Sequence, residues 1–304
     1  MGEEEYNYTS GGYGDLEGSI TMIGSRIGRA GLYALAIFFL LSCHARALLI
    51  SPSKLTIQIP SGSEKRFSIF LANVQETDDI QVRIYPEDFL LKQDGSLEFL
   101  KAGSSKWSCA RWISLEHTQL VLKAGEEKSI YGTIKVPQEL SGGRYALIMV
   151  EVASPPVDWK IDLRTRVRYS ILVNVLVSPD QLVRKAQIVN MEVLLQDRGL
   201  GTSEQRKIEG LEFVVSVQNT GNVHVVAEGE VRVRNRLGEV EASVPLLAGG
   251  GYIFPEGIRD FRGILSKNLP DGEYEAEAEI YYNEGELTRT KIIFSLTETE
   301  LIRR

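Results

Sequence analysis

From residue 48 onward the chain is a succession of short segments in which apolar and polar residues alternate or apolar residues run together. The clearest are Leu55 to Ile59, Phe67 to Ala72, Ile80 to Tyr85, Gln119 to Leu122, Ser129 to Val136, Tyr145 to Val152 and Trp159 to Val177. Each is bounded by Gly, Pro, Asn or Asp, and no amphipathic helix of persuasive length interrupts them. Period-two patterning suits a strand with one face on a core and the other in water. Many such strands at short spacing predict an all-β chain built as a sandwich. With 304 residues and 43% apolar content the chain can bury two separate cores.

The second half repeats the first. Leu140-Ser-Gly-Gly-Arg-Tyr145 leads into the run Ala-Leu-Ile-Met-Val-Glu-Val, and Leu269-Pro-Asp-Gly-Glu-Tyr274 leads into Glu-Ala-Glu-Ala-Glu-Ile. Both openings read Leu-x-x-Gly-x-Tyr. Upstream, residues 124–134 are mirrored by 255–265, and a strand ending at Asn73 is mirrored by Phe213 to Asn219. A Gly two residues before a Tyr that enters a strand is the layout of the tyrosine corner of immunoglobulin-like sandwiches. The expectation is two tandem immunoglobulin-like β-sandwich domains, 48–178 and 179–304, with the junction around Ser178-Pro179-Asp180. Where antibody domains place a core Cys two residues after the Tyr, this chain carries Leu147 and Ala276, in keeping with cores that lack a disulfide.

The first 47 residues read as an N-terminal extension and signal peptide. Gly31 to Ser42 is apolar, Arg26 and Arg29 precede it, and Ala45-Arg-Ala47 follows. Basic, apolar, then small-x-small is the order of a secretory signal, with cleavage after Ala47. The apolar run is shorter than the ~20 residues of a membrane-spanning helix. Glu3, Glu4 and Glu5 have the wrong charge for a signal's start, whereas Met22 as the initiator gives a basic one. Leu40-Leu-Ser-Cys43 loosely resembles a lipobox, which offers Cys43 as a lipidation site and a lipid anchor as the alternative to a free chain. Cys43 and Cys109 are the only cysteines, so no disulfide is expected within a domain. Cys109 reads as a small buried hydrophobe.

Several function classes drop out. A net charge of −7 argues against a nucleic-acid partner, whose phosphates demand a dense cationic footprint. No nucleophile elbow, zinc-binding histidine helix or phosphate-cradling loop occurs, and Gly249-Gly-Gly251 is followed by neither a helix nor a lysine. The mature chain holds only His117 and His224, one in each half, and both read as ordinary surface or turn histidines. The chain reads as a non-enzyme with no cofactor and no metal site.

Trp159 to Arg168 alternates strictly. Trp159, Ile161, Leu163, Thr165 and Val167 lie on one side; Lys160, Asp162, Arg164, Arg166 and Arg168 lie on the other. Together with Ser51-Pro-Ser-Lys54-Leu-Thr-Ile and the segment that runs on to Asn73, this strand resembles the periplasmic pilus chaperones, over residues 48 to 177. The resemblance implies a boomerang of two immunoglobulin-like domains that completes an unfinished pilus subunit with a strand of its own. Lys54 and Arg168 would correspond to the basic pair that holds the subunit's terminal carboxylate, and Trp159, Ile161 and Leu163 to the apolar donor positions. The implied partner is an extended segment or C-terminus of a secreted protein subunit, met in the periplasm or cell envelope. Residues 141–145 depart from the family's Glu-Ser-x-aromatic segment, and the second half looks more like immunoglobulin-like repeats of bacterial envelope proteins. A structural or adhesive envelope protein is therefore the alternative. For that protein the arginines of this strand would simply face water, as one side of an antiparallel sheet commonly does.

Overall fold

The structure, a computed structural model, describes residues 48–153, 166–195, 210–283, 285–297 and 301–303. The expected signal peptide, its cleavage point at Ala47, Cys43, and the donor residues Trp159, Ile161 and Leu163 lie outside the described residues.

The first sandwich contains β1 (Leu48–Ser51), β2 (Lys54–Ile59), β3 (Glu64–Asn73), β4 (Ile80–Leu91), β5 (Leu97–Leu100), β6 (Ile113–Leu115), β7 (Gln119–Leu122), β8 (Glu127–Lys135), β9 (Gly142–Ala153) and β10 (Arg166–Val177). One sheet runs β1-β3-β8-β6 and the other β2-β10-β9-β4-β5, with β7 against β4. The second contains β11 (Ala186–Leu195), β12 (Leu211–Asn219), β13 (Val225–Asn235), β14 (Val240–Leu246), β15 (Tyr252–Ile253), β16 (Ile258–Leu265), β17 (Gly272–Tyr282), β18 (Glu286–Leu296) and β19 (Leu301–Arg303). Its sheets run β11-β12-β16 and β14-β13-β17-β18-β19. Both orders follow immunoglobulin-like topology, so that β3, β4, β8, β9 and β10 correspond to β12, β13, β16, β17 and β18.

The alternation seen in sequence becomes the two cores. On β3, Phe67, Ile69 and Leu71 are buried while Arg66 and Ser68 are exposed. On β17, Tyr274, Ala276, Ala278, Ile280 and Tyr282 join the second core. Their neighbours Glu275, Glu277 and Glu279 line the other face, where Lys291, Arg232 and Arg289 pair with them. Each large side chain fully buried this way contributes roughly 1.5 to 3 kcal/mol. Cys109 is wholly buried in the first core, and desolvation pushes its thiol pKa well up, which leaves it inert.

The repeat is physical as well as textual. Asn73 and Asn219, which end the corresponding strands β3 and β12, are both buried. The Asn73 amide donates to the carbonyls of Asp78, Leu122 and Lys123; that of Asn219 donates to those of Val223 and Ile253. Each Oδ1 accepts the N–H two residues on, from Gln75 and from Gly221. These amides satisfy carbonyls that the bending chain would otherwise bury without partners.

The tyrosine motif does not repeat in the same way, which corrects the sequence reading. Tyr274 donates to the Pro270 carbonyl at 2.7 Å, as a corner tyrosine does. On β9 the core row is Ala146, Ile148, Val150 and Val152, so Tyr145 and Leu147 face the opposite way. A shift of one residue between motif and core exchanges the faces of a strand. Leu147 is therefore not the counterpart of the core residue Ala276, and Tyr145 is not a corner.

Candidate functional site

The first strand changes sheets. β1 pairs antiparallel with β3, the chain turns at Pro52, and β2 then pairs parallel with β10, Lys54 opposite Leu172 through Ile59 opposite Val177. Proline has no N–H to give a ladder, so the break falls where Pro52 stands. β10 is longer than β2. Along Arg166–Ile171 its only strand neighbour among the described residues is β9.

The direction of the free groups follows from one bond. The Leu172 N–H donates to the Ser53 carbonyl at 3.1 Å, on the β2 side. Residues two apart on a strand point their backbone groups the same way, so Arg168 and Ser170 turn theirs to the open side. The side chains alternate too: Ile171, Val173, Val175 and Val177 enter the core, while Arg168, Ser170, Leu172 and Asn174 line the other face.

The structure does not bring Lys54 and Arg168 together. Arg168 stands four residues before Leu172, the register partner of Lys54, about 13 Å away along the strand. It lies opposite Glu151 on β9, its Nε 3.5 Å from Glu151 Oε2, and Tyr85 donates to the same carboxylate at 3.1 Å. Opposite charges facing each other across a ladder account for this placement. Lys54 instead reaches the second sandwich, donating to the Tyr252 hydroxyl at 3.0 Å.

Around Lys54 the two sandwiches meet. His224 stacks on Tyr252, with ring centroids 5.5 Å apart, and Tyr145 and Phe89 pack edge-on against Phe254 at 4.6 and 5.1 Å. The His224 N–H donates to the Tyr145 hydroxyl at 2.6 Å, and that hydroxyl stands 3.1 Å from His224 Nδ1. Which of the two donates in the second contact depends on the imidazole tautomer. Burial chiefly, then the charges of Arg184 and Lys54, hold the His224 pKa at about 4, below its ordinary 6.5. Burial likewise pushes the Tyr145 hydroxyl pKa up. Asn222 ties in the connecting segment: its Oδ1 accepts from Val183 N–H at 2.7 Å, and its carbonyl accepts from Gly143 N–H at 2.7 Å. Beside this joint lies a cleft of about 260 Å³ walled by Phe89, Leu91, Trp107, Tyr145, Tyr252 and Phe254.

Sequence reasoning passed over Tyr252 and Arg184, and read His224 as an ordinary surface or turn histidine. Only the docking of the sandwiches gives these residues a role: His224 stands at a turn, in the joint.

Among the described residues no helix is long and apolar enough to cross a membrane, and no cluster of acidic, histidine or cysteine side chains could hold a metal ion. No family model and no curated protein matches the chain. Among solved structures, the chain is similar to one from a chaperone–tip adhesin complex of CFA/I fimbriae: 12% identity, 85% of this chain and 97% of that one, TM-score 0.45. It is also similar to the class 5 fimbriae chaperone CfaA, at 13% identity over 85% and 98% of the two chains and a TM-score of 0.43. A third likeness is to the E. coli chaperone DraB, at 13% identity over 85% and 96% and a TM-score of 0.39.

Proposed function

We propose that the protein is an exported, non-catalytic binder that takes up an extended segment of a secreted polypeptide by strand addition along β10, in the manner of a pilus chaperone. The observation that carries this reading is the stretch Arg166–Ile171, which has a strand neighbour on one side only among the described residues. A guest strand would pair with the outward backbone groups of Arg168 and Ser170, and alternate side chains would supply specificity. Each backbone bond would contribute about 0.5 to 1.5 kcal/mol net. In this reading Trp159, Ile161 and Leu163 would be the apolar donor positions. Lys54 and Arg168 would act at separate points, Lys54 in the joint with Arg184 nearby and Arg168 on the rim. A carboxylate meeting either would make a charge-assisted bond of about 1.5 to 3 kcal/mol.

The test is co-expression with candidate secreted subunits followed by affinity capture, using Ser170→Pro against Ser170→Ala. Proline removes an N–H from the open side while leaving the β9 pairing, so capture should be lost with Pro and kept with Ala. Equal capture by both variants, each with the circular dichroism of the wild type, would exclude strand addition at this rim.

A second reading, a structural or adhesive envelope module, is favoured by one observation. Lys54 and Arg168 already have partners inside the protein, Tyr252 and Glu151. In that case no subunit is retained, and the double change Lys54→Ala and Arg168→Ala leaves assembly into the envelope intact.

A further inference from the structure

Two sandwiches joined by a short linker ordinarily move relative to each other unless their interface prevents it. Here the turn between β4 and β5 reaches across to the second sandwich. It is closed within itself: Gly95 N–H donates to the Lys92 carbonyl, Lys92 N–H to the Ser96 carbonyl, and Asp94 Oδ1 accepts from both the N–H and the hydroxyl of Ser96. That leaves Gln93 at the tip free to serve the other sandwich. Its amide donates to Asp260 Oδ1 at 2.8 Å, and its carbonyl accepts the Asp260 N–H at 2.9 Å. The Ser216 hydroxyl donates to the same Asp260 oxygen at 2.7 Å.

Arg259, buried to 7% exposure, closes the seat from the other side. It donates to the Gln93 carbonyl at 3.3 Å and to the Ala248 carbonyl at 2.9 Å. Gly95 lies directly over this guanidinium, and a Cβ there would stand 2.0 Å from its nitrogens. With φ at +91°, position 95 excludes side chains on backbone grounds as well.

We propose that the β4–β5 hairpin is a latch that makes the two sandwiches one rigid body. The hairpin touches the second sandwich twice, at Phe89 of β4 against Phe254 and at Gln93 of the turn on Asp260. These points are four residues apart, so at most about 13 Å of chain separates them. One contact permits rotation about itself; two separated contacts on a stiff hairpin block it, and the Tyr145–His224 bonds add a third. The latch is independent of whatever the rim of β10 binds.

The test compares the full chain with its Gln93→Ala and Gly95→Ala variants. Gln93→Ala leaves every bond that closes the turn, so folding of the hairpin is spared. By ¹⁵N relaxation the wild type should give one rotational correlation time for both sandwiches, and the variants two. Tryptic cleavage after Arg184 or Lys185, both exposed in the connecting segment, should rise roughly tenfold in the variants, because scission requires the joint to open. Wild-type tumbling and cleavage in both variants would overturn the latch, as would two correlation times in the wild type.

Discussion

The hydroxyl of Tyr145 sits 2.6 Å from the backbone nitrogen of His224, whose N–H it accepts, and 3.1 Å from its Nδ1, so that one oxygen binds the first sandwich to the second by two hydrogen bonds. In the repeated motif of the second sandwich, the equivalent hydroxyl turns back to its own chain at Pro270. One residue of phase separates an internal brace from a strut between domains.

Tyr145→Phe removes both bonds and leaves the His224 N–H in the joint without its acceptor. A loss of about 1 to 3 kcal/mol is expected. Gly143→Ala should act through the same bonds, since a Cβ there would stand 2.0 Å from the Tyr145 hydroxyl. Urea unfolding of both variants, and of Tyr274→Phe for comparison, checks this. Only the first two should also speed tryptic cleavage between the sandwiches.

The neutral state of His224 makes stability depend on pH. Its pKa is about 4 in the folded protein against an ordinary 6.5. Between these values the unfolded chain binds a proton that the folded chain refuses. The contribution is therefore whole above pH 6.5 and is lost as pH falls toward 4. Its full size is on the order of 3 kcal/mol. Urea midpoints at pH 7, 5.5 and 4 should fall further for the wild type than for His224→Gln, which keeps the backbone bond but cannot titrate. Parallel declines would count against this role.

Asn73→Ala and Asn219→Ala should each destabilise the sandwich that contains the change. Removing either amide strands buried carbonyls, each costing about 1 to 3 kcal/mol. Calorimetry on the two variants should show losses of similar size, because the two side chains do the same work at equivalent turns.

Lys291→Ala tests the charged ladder on the outer face of β17. Lys291 Nζ lies 2.8 Å from Glu275 and 3.7 Å from Glu277, and its side chain is half exposed. The expected loss is small, because solvent screens an exposed ion pair. It should shrink in 1 M NaCl, where charges are screened within roughly 3 Å.

Much of this was legible in the residues. Alternation at Phe67, Ile69 and Leu71 announces which side of β3 meets a core, since a strand can bury only every second side chain. Asp94-Gly95 between alternating flanks is a hairpin signal, although the strand from Leu97 was not anticipated. Lys54 could be singled out, but not what it touches. Its separation from Arg168 depends on how β2 is registered against β10, more than a hundred residues further on.

The order of residues alone decided the all-β class, the two-fold repeat and the buried face of strands such as β3, because burial of one face of a strand is a local consequence of period two. Only the tertiary structure decided that the pairing of β2 with β10 begins at Leu172, that Tyr145 belongs to the joint, and that Gln93 and His224 matter. These depend on register and on the meeting of distant surfaces. Pairing is set by the energy of the whole assembly and leaves no spacing in the chain to read.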